Sequence, residues 1–310
     1  MRLHNPASKE LSLRKPPGTA NGRFRERFSR SAATQLASRK RNELYVAYEK
    51  SLLLFSHQKS LRILFTGKPD WAADITKGFI GSPHTIEFGS LASHPAGDFD
   101  LVVPLQISGL IEARQRPDLL AKNPIPIPTE ECILLCDDKR KFSQTLIEKG
   151  FGTYIPKLCS VCDPPYILKK RIGSWGKECW MVHDRQEEAA VRDQVNDPAF
   201  YRQEIIRGRS EFATHILFAN DRIVKSLDIR YEFDTDIPIK GQDKALYTVI
   251  GKCHFLNLFA SILRSIGFEG LCCVNYKIVD GRPYIFEINP RFGGTLCPYF
   301  FSFIRHLTVD

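Results

Sequence analysis

The sequence predicts a mixed α/β chain that opens with a Rossmann-like lobe and passes, near residue 131, into a part richer in strands. Three observations carry this. Compact apolar runs alternate with helical stretches between residues 61 and 105, the arrangement that builds a parallel sheet with crossover helices. Beyond 131 the strand-like runs follow one another in pairs, joined by glycine-bearing turns. With 310 residues, 43% of them hydrophobic, the chain buries enough surface for two or three lobes.

The elements follow in order. Residues 1–41 hold eleven basic residues against Glu10 and Glu26, whereas the remainder balances 33 basic with 33 acidic residues, so the net charge of +9 belongs to this arm alone. Polar, Ser-rich and containing Pro, it cannot bury enough apolar surface to fold by itself. A disordered arm over 1–58 is expected, ending in a short amphipathic helix at 43–57; a targeting segment or an arm for an anionic partner are the other readings. LRILFTG (61–67) reads as a buried strand, followed by a helix near 71–79 and strands at 84–90 and 99–105. Gly67-Lys68-Pro69 is no GxGxxG, so no dinucleotide site is expected there.

A helix starts near Asp137-Asp138-Lys139 and stops at Lys149-Gly150. Two strands within 166–182 flank the loop 171–177, and a polar helix near 185–195 precedes a strand at 201–206. Strands at 212–219, 222–230 and 270–279 bracket a helix across roughly 243–266, and a turn through Asp280-Gly281 leads to the last strand.

No run of eighteen apolar residues and no apolar N-terminal segment appear, so neither a membrane span nor export is indicated and a cytoplasmic protein is the expectation. The balanced charge beyond residue 41 makes nucleic acid an unlikely partner. Nine cysteines without a secretory segment read as reduced thiols. Cys159 and Cys162 form a CxxC without the second pair a zinc site wants, and Cys272 and Cys273 sit in an apolar strand as small hydrophobes.

The residues suited to chemistry lie late in the chain. In IFEINPRFGGT (285–295), Glu287, Asn289 and Arg291 alternate and share one strand face, with Phe286 and Ile288 on the other. Carboxylate and carboxamide oxygens suit a hard cation such as magnesium and the phosphates it bridges. Asn275 on the partner strand offers a third oxygen if register permits. A two-residue Asp280-Gly281 turn pairs 275 with 286 and turns Asn275 to the wrong face; a three-residue turn pairs it with 287. The competing reading is that Arg291 merely neutralises Glu287. Lys169 precedes a loop in which Gly173 and Gly176 let backbone amides approach phosphate, with Arg171 adding charge. Gln203, Glu204 and Ile206, then Glu211, form a strand edge able to meet a purine and its ribose, or simply an exposed strand end.

Taken in order, these pieces resemble the ATP-grasp superfamily, and the last strands are closest to its carbamoyl-phosphate-synthetase-like branch. The resemblance runs from about residue 60 to the end: a pre-ATP-grasp lobe (59–130), the Asp138-Lys139 pair, PYILK with its GSWGK loop, QEII, and EINPRFGG. It implies an ATP-grasp domain over 131–310, made of two α+β subdomains, a flap at about 155–206 and a C-terminal part at 207–310. It implies Lys139 and Lys169 on the nucleotide phosphates, Arg171, Ser174 and Gly176 in the flap, and Glu204 and Ile206 at the adenine. Gln203 is counted with them as nucleotide-binding, and Glu211 meets the ribose. Glu287 and Asn289 match the metal ligands, with Asn275 where a third commonly stands, and Arg291 lies beside the transferred phosphoryl group. The implied cofactors are ATP and Mg2+, with Mn2+ as a substitute; the implied partners are small-molecule carboxylates and amines, and a homodimer is compatible. The implied activity is amide formation through an acyl phosphate with release of ADP. Two departures stand out: Lys170 replaces a proline that often follows the flap lysine, and the chain stops fifteen residues after Thr295, sooner than many relatives. The second keeps a nucleotide-binding module without ligase activity as the alternative. His215, Lys225, Asp228 and Arg230 either line the acceptor pocket or are sheet-face polar residues.

Overall fold

A computed structural model describes residues 21–54, 59–160, 162–173 and 176–307. The described residues fall into two compact units, divided between Ala37 and Ser38. The first helix, α1 (Asn21–Leu54), runs through both. It begins well before the short helix expected at 43–57, within the stretch read as a disordered arm. After Gly22 no glycine or proline interrupts it, and Arg, Ala, Glu, Leu and Lys dominate it, so local propensity outweighs the lack of an apolar face.

Within the second unit, the end of α1 is firmly held. Asn42 donates to Thr248 O (3.0 Å) and accepts from Ile250 N (2.9 Å), pairing with an edge strand as another strand would. Glu49 is buried and receives Lys225 Nζ at 2.8 Å and Arg305 Nη2 at 3.0 Å.

Among the described residues the strands form three sheets. The first is parallel and matches the expected alternation: β1 (Arg62–Thr66), α2 (Ala72–Phe79), β2 (Thr85–Gly89) and β3 (Leu101–Pro104), ordered β2-β1-β3. Helices α3 (Ile107–Arg114), α4 (Pro117–Lys122) and α5 (Glu130–Asp137) follow. Asp138 then caps α6 (Lys139–Leu146), accepting from the amides of Arg140 (3.1 Å) and Lys141 (3.0 Å).

The second sheet is small and antiparallel, ordered β4-β7-β5-β6 from β4 (Leu158–Cys159), β5 (Tyr166–Lys170), β6 (Cys179–Val182) and β7 (Phe200–Gln203). Helices α7 (Arg185–Ala190) and α8 (Arg192–Asn196) lie between β6 and β7. Tyr166, Leu168 and Val182 face a small core with Val191 and Val195 from this helical stretch, which turns Ile167, Lys169, Cys179 and Met181 to the other side. The strand expected at 201–206 ends at Gln203, where the chain leaves the sheet for a loop.

The third sheet is antiparallel, ordered β10-β9-β8-β11-β12 from β8 (Ser210–Ala219), β9 (Arg222–Glu232), β10 (Tyr247–Gly251), β11 (Gly270–Val279) and β12 (Arg282–Asn289). The helix expected across 243–266 is instead β10 followed by α9 (Leu256–Ser265). Thr248, Val249 and Ile250 are β-branched, and the free edge of β9 offers them a ladder, so pairing overrides a weak helical pattern. One face of this sheet packs Ile216, Val274, Tyr276, Ile285 and Ile288 onto α5, α6 and α9. Past β12, Phe292 and Phe300 dock on the parallel sheet, with ring centroids 6.2 and 5.8 Å from Phe65, before α10 (Phe301–Ile304). This docking anchors the segment that carries Arg291.

Candidate active site

The site is built on the last hairpin. Asp280 and Gly281 both take positive φ (50° and 75°), and Val279 pairs with Arg282, so the turn has two residues. That alone would send Asn275 to the wrong face. A β-bulge intervenes: Tyr276 pairs with Ile285 while Asn275 pairs with Glu287, leaving Phe286 as the extra residue. The 275–287 pairing is therefore the one adopted, reached through a two-residue turn and a bulge rather than through a three-residue turn. The bulge also corrects the expected facing of Phe286: Ile285 and Ile288 are fully buried in the core, whereas Phe286 lines the cavity together with Glu287.

Glu287 Oε1 accepts from Asn275 Nδ2 at 2.8 Å and from Asn289 Nδ2 at 2.9 Å, and Oε2 faces Lys139 Nζ at 3.4 Å. Burial by itself would raise this carboxyl's pKa. The Lys139 charge, the Asn289 hydrogen bond, the Lys240 charge and the Asn275 hydrogen bond outweigh it and hold the group down at about 2. Glu287 and Asn289 supply oxygens of the hard type a magnesium ion prefers, whereas the Asn275 oxygen accepts from Lys240 Nζ at 2.7 Å. The set fits an ion shared with phosphates. With a single carboxylate it does not fit a free-standing cation cage, and among the described residues no group of three or more acidic, His or Cys side chains is poised for a metal.

Cations converge on the same cavity. Lys139, at the start of α6, donates to Gly173 O at 2.6 Å. Lys169 Nζ is held by Gln203 Oε1 at 2.9 Å and stands 4.9 Å from the Phe286 ring centroid; burial lowers its pKa. Arg291, its pKa also lowered by burial, lies 5.9 Å from the Trp71 ring centroid and donates to Phe292 O at 2.9 Å. Arg171 does not line the cavity: its guanidinium pairs with Asp138, 2.5 Å from Oδ2. Gly176 does line it, at φ 60°, and a Cβ there would come within 2.7 Å of Lys240 O. Ser174 lies outside the described residues.

The hinge between the two antiparallel sheets is pinned from both ends. Gln203 is fully buried and donates to Pro156 O (3.1 Å), which makes it a holder of Lys169 and leaves it out of the cavity lining. Glu204 N donates to Lys157 O (2.9 Å) and its carboxylate accepts from Lys157 N (3.1 Å). Ile206 accepts from Lys277 Nζ at 3.1 Å, and Glu204, Ile205 and Ile206 all line the cavity. Glu211, buried on β8, faces it and meets Lys240 Nζ at 3.3 Å.

Among the acceptor-pocket candidates none lines the cavity. Lys225 is committed to Glu49. Asp228 is buried on the α9 side with Thr214 Oγ1 at 2.5 Å and Tyr276 OH at 3.1 Å, and Arg230, two residues on, shares that face. His215 stands one layer behind the cavity wall, 2.9 Å from Thr295 Oγ1, and burial, followed by the Lys240 charge, pushes its pKa down to about 3. Lining residues that sequence reasoning missed are Lys240, Lys277, Tyr231 and Phe286. Lys277 was findable, being two residues from Asn275 on the same strand face. Lys240 carries no local signal at all.

A family model described as "ATP-grasp domain" matches residues 136–295. Among curated proteins, none matches the chain. The fold is similar to solved structures of D-alanine–D-alanine ligase from Bacillus anthracis, at 16% identity and TM-score 0.53, covering 76% of this chain and 89% of that one. It is also similar to L-amino acid ligase from Bacillus licheniformis, at 15% identity and TM-score 0.52, covering 79% and 70%. N5-carboxyaminoimidazole synthetase from Staphylococcus aureus, solved with ADP, matches at 16% identity and TM-score 0.52, covering 77% and 73%. Among the described residues no helix is long and apolar enough to cross a membrane.

Proposed function

The chain belongs to the ATP-grasp family, and from that premise we propose that it is a cytoplasmic carboxylate–amine ligase using ATP and magnesium, or manganese in its place. The observation that carries this reading is one cavity lined by Glu287, Asn289 and Asn275, with the Glu287 carboxylate 3.4 Å from the Lys139 ammonium and with Lys169 and Arg291 in the same lining. Acidic oxygens alone would suit many cations; oxygens interleaved with lysines suit a metal–polyphosphate pair.

Under this proposal the nucleotide lies between the flap strands and the five-stranded sheet, with its base against 204–206, its ribose near Glu211 and its phosphates toward Lys139 and Lys169. A magnesium ion, when bound, would neutralise phosphate charge from Glu287 and Asn289. An acceptor carboxylate oxygen attacks the terminal phosphorus, ADP leaves, and the acyl phosphate forms. An amine then attacks the acyl carbon, loses a proton and expels phosphate. Arg291, pinned by its bond to Phe292 O, neutralises the phosphoryl group in flight. The chain supplies no nucleophile, so rate comes from alignment and charge. We also assign 59–130 to a pre-ATP-grasp domain, about 155–206 to a flap and 207–310 to the C-terminal subdomain, and small-molecule acids and amines as partners.

A panel of amino acids and small acids, assayed for magnesium-dependent ADP release with and without amines, tests this. ADP formed only when both acceptors are present supports it; AMP and pyrophosphate overturn it, and saturable ATP binding without turnover across the panel favours a nucleotide-binding module.

A further inference from the structure

Lys240 sits in the connection between β9 and β10, 35 residues from Asn275 in sequence, yet its Nζ lies 2.7 Å from Asn275 Oδ1. The same ammonium is 3.3 Å from Glu211 Oε1 and 4.5 Å from the Tyr231 ring centroid. The backbone of the preceding residue is fixed as well: Ile239 N donates to Asp243 Oδ2 at 2.7 Å and Asp243 N to Ile239 O at 2.9 Å. A carboxamide oxygen, a carboxylate and an aromatic face therefore hold the charge inside the cavity, with the side chain half-buried.

We infer that Lys240 is a resident cation of this site, occupying the place beside Asn275 with its ammonium, so that the site takes up a single divalent ion, on Glu287 and Asn289, with each nucleotide. The inference rests on the nucleotide site of the ligase reading and adds to it how many metal ions that site holds.

Two features argue for it. The Asn275 carboxamide is used at both ends, its oxygen by Lys240 and its Nδ2 by Glu287 Oε1, so it works as a relay between an ammonium and a carboxylate. Asn289 spends only its Nδ2 on Glu287, and its Oδ1 accepts no hydrogen bond among the described residues. An ion on Asn275 Oδ1 would stand against the ammonium already there, in a half-dry cavity where like charges repel strongly. The charge count agrees. Among lining side chains, Lys139, Lys169, Lys240, Lys277 and Arg291 face only Glu204, Glu211 and Glu287. A triphosphate of about four negative charges with one divalent ion brings that set to balance, and a second ion would leave an excess of positive charge.

The test counts Mn2+ ions per chain by loss of the free-ion electron paramagnetic resonance signal at saturating ADP, with ADP binding followed separately by calorimetry. Wild-type protein is expected to hold one ion per bound ADP and Lys240→Gln two, with Lys240→Arg remaining at one. Two ions on the wild-type complex, or one on a folded Lys240→Gln complex, overturns the inference while leaving the ligase reading in place. Absence of ADP binding to the wild type overturns both. The wild-type count needs no variant, so a misfolded Lys240→Gln does not rescue the idea.

Discussion

Glu287→Gln removes one negative charge and almost no volume. The carboxylate it replaces accepts from Asn275 and Asn289 and faces Lys139 at 3.4 Å. Its pKa, held at about 2 against an ordinary 4.5, corresponds to about 3 kcal/mol favouring the ionised form in the folded state. Because the folded pKa is the lower one, this stabilisation is fully present above the ordinary glutamate pKa and disappears as pH falls toward 2. The variant should accordingly be less stable than wild type by up to about 3 kcal/mol at pH 7, with the gap narrowing at pH 3. The new amide brings donors where Asn275 and Asn289 already donate, so part of the loss persists at every pH. In turnover, losing the charge proposed to seat the cation should cost on the order of 3 kcal/mol in the transition state, somewhat over about a hundredfold in rate. Urea denaturation at pH 7 and pH 3, paired with ADP release at pH 7, measures both. Wild-type turnover would refute the proposed role of Glu287, and a stability gap that does not shrink with pH would refute the electrostatic account.

Lys277, pushed down to about 8 chiefly by burial, is charged below that pH and loses its proton above it. The folded protein bears the cost of burying this charge below about 8 and sheds it as pH rises toward 10.5, while attraction for an anionic ligand falls over the same window. Nucleotide affinity should weaken through pH 8 in wild type and stay flat in Lys277→Met, read by fluorescence titration between pH 7 and 9.5. Lys169→Met removes the ammonium held by Gln203 and should raise the ATP dissociation constant by about tenfold or more, checked by calorimetry. Gln242 Nε2 donates to Gly176 O (2.5 Å) and Cys179 O (2.9 Å), so Gln242→Ala should release the glycine loop, speed ADP dissociation severalfold in stopped flow, and leave the melting temperature nearly unchanged.

How much was legible depended on where each signal lay. The parallel sheet around β1 and the polar stripe through Glu287, Asn289 and Arg291 could be read because strand periodicity writes them locally. Register could not. Whether Asn275 met Glu287 hinged on a bulge at Phe286, and a bulge reflects the demand that Ile285 and Ile288 both enter the core, which is a tertiary fact. Strand β10 was read as helix because its ladder partner on β9 lies in another segment. Lys240 was invisible for a related reason: a lysine between Ile239 and Gly241 in a loop looks solvated until the fold lays that loop over Glu211 and Asn275. Arg171, conversely, looked like a phosphate group's partner and is spoken for by Asp138.

The single unpaired residue at Phe286 works as a phase shifter in the last hairpin. Outward of it, from Tyr276 and Ile285 to the Asp280-Gly281 tip, strand pairing runs in one phase; inward, where Asn275 meets Glu287 and Cys273 meets Asn289, it runs in the other. The tip is thereby mechanically insulated from the oxygens. Exchanging it for any other two-residue turn, or trimming one matched pair of residues from each arm outside the bulge, keeps the inner phase intact. Removing one residue between Arg282 and Phe286 would make the bulge unnecessary, because a two-residue turn then pairs Asn275 with Glu287 directly.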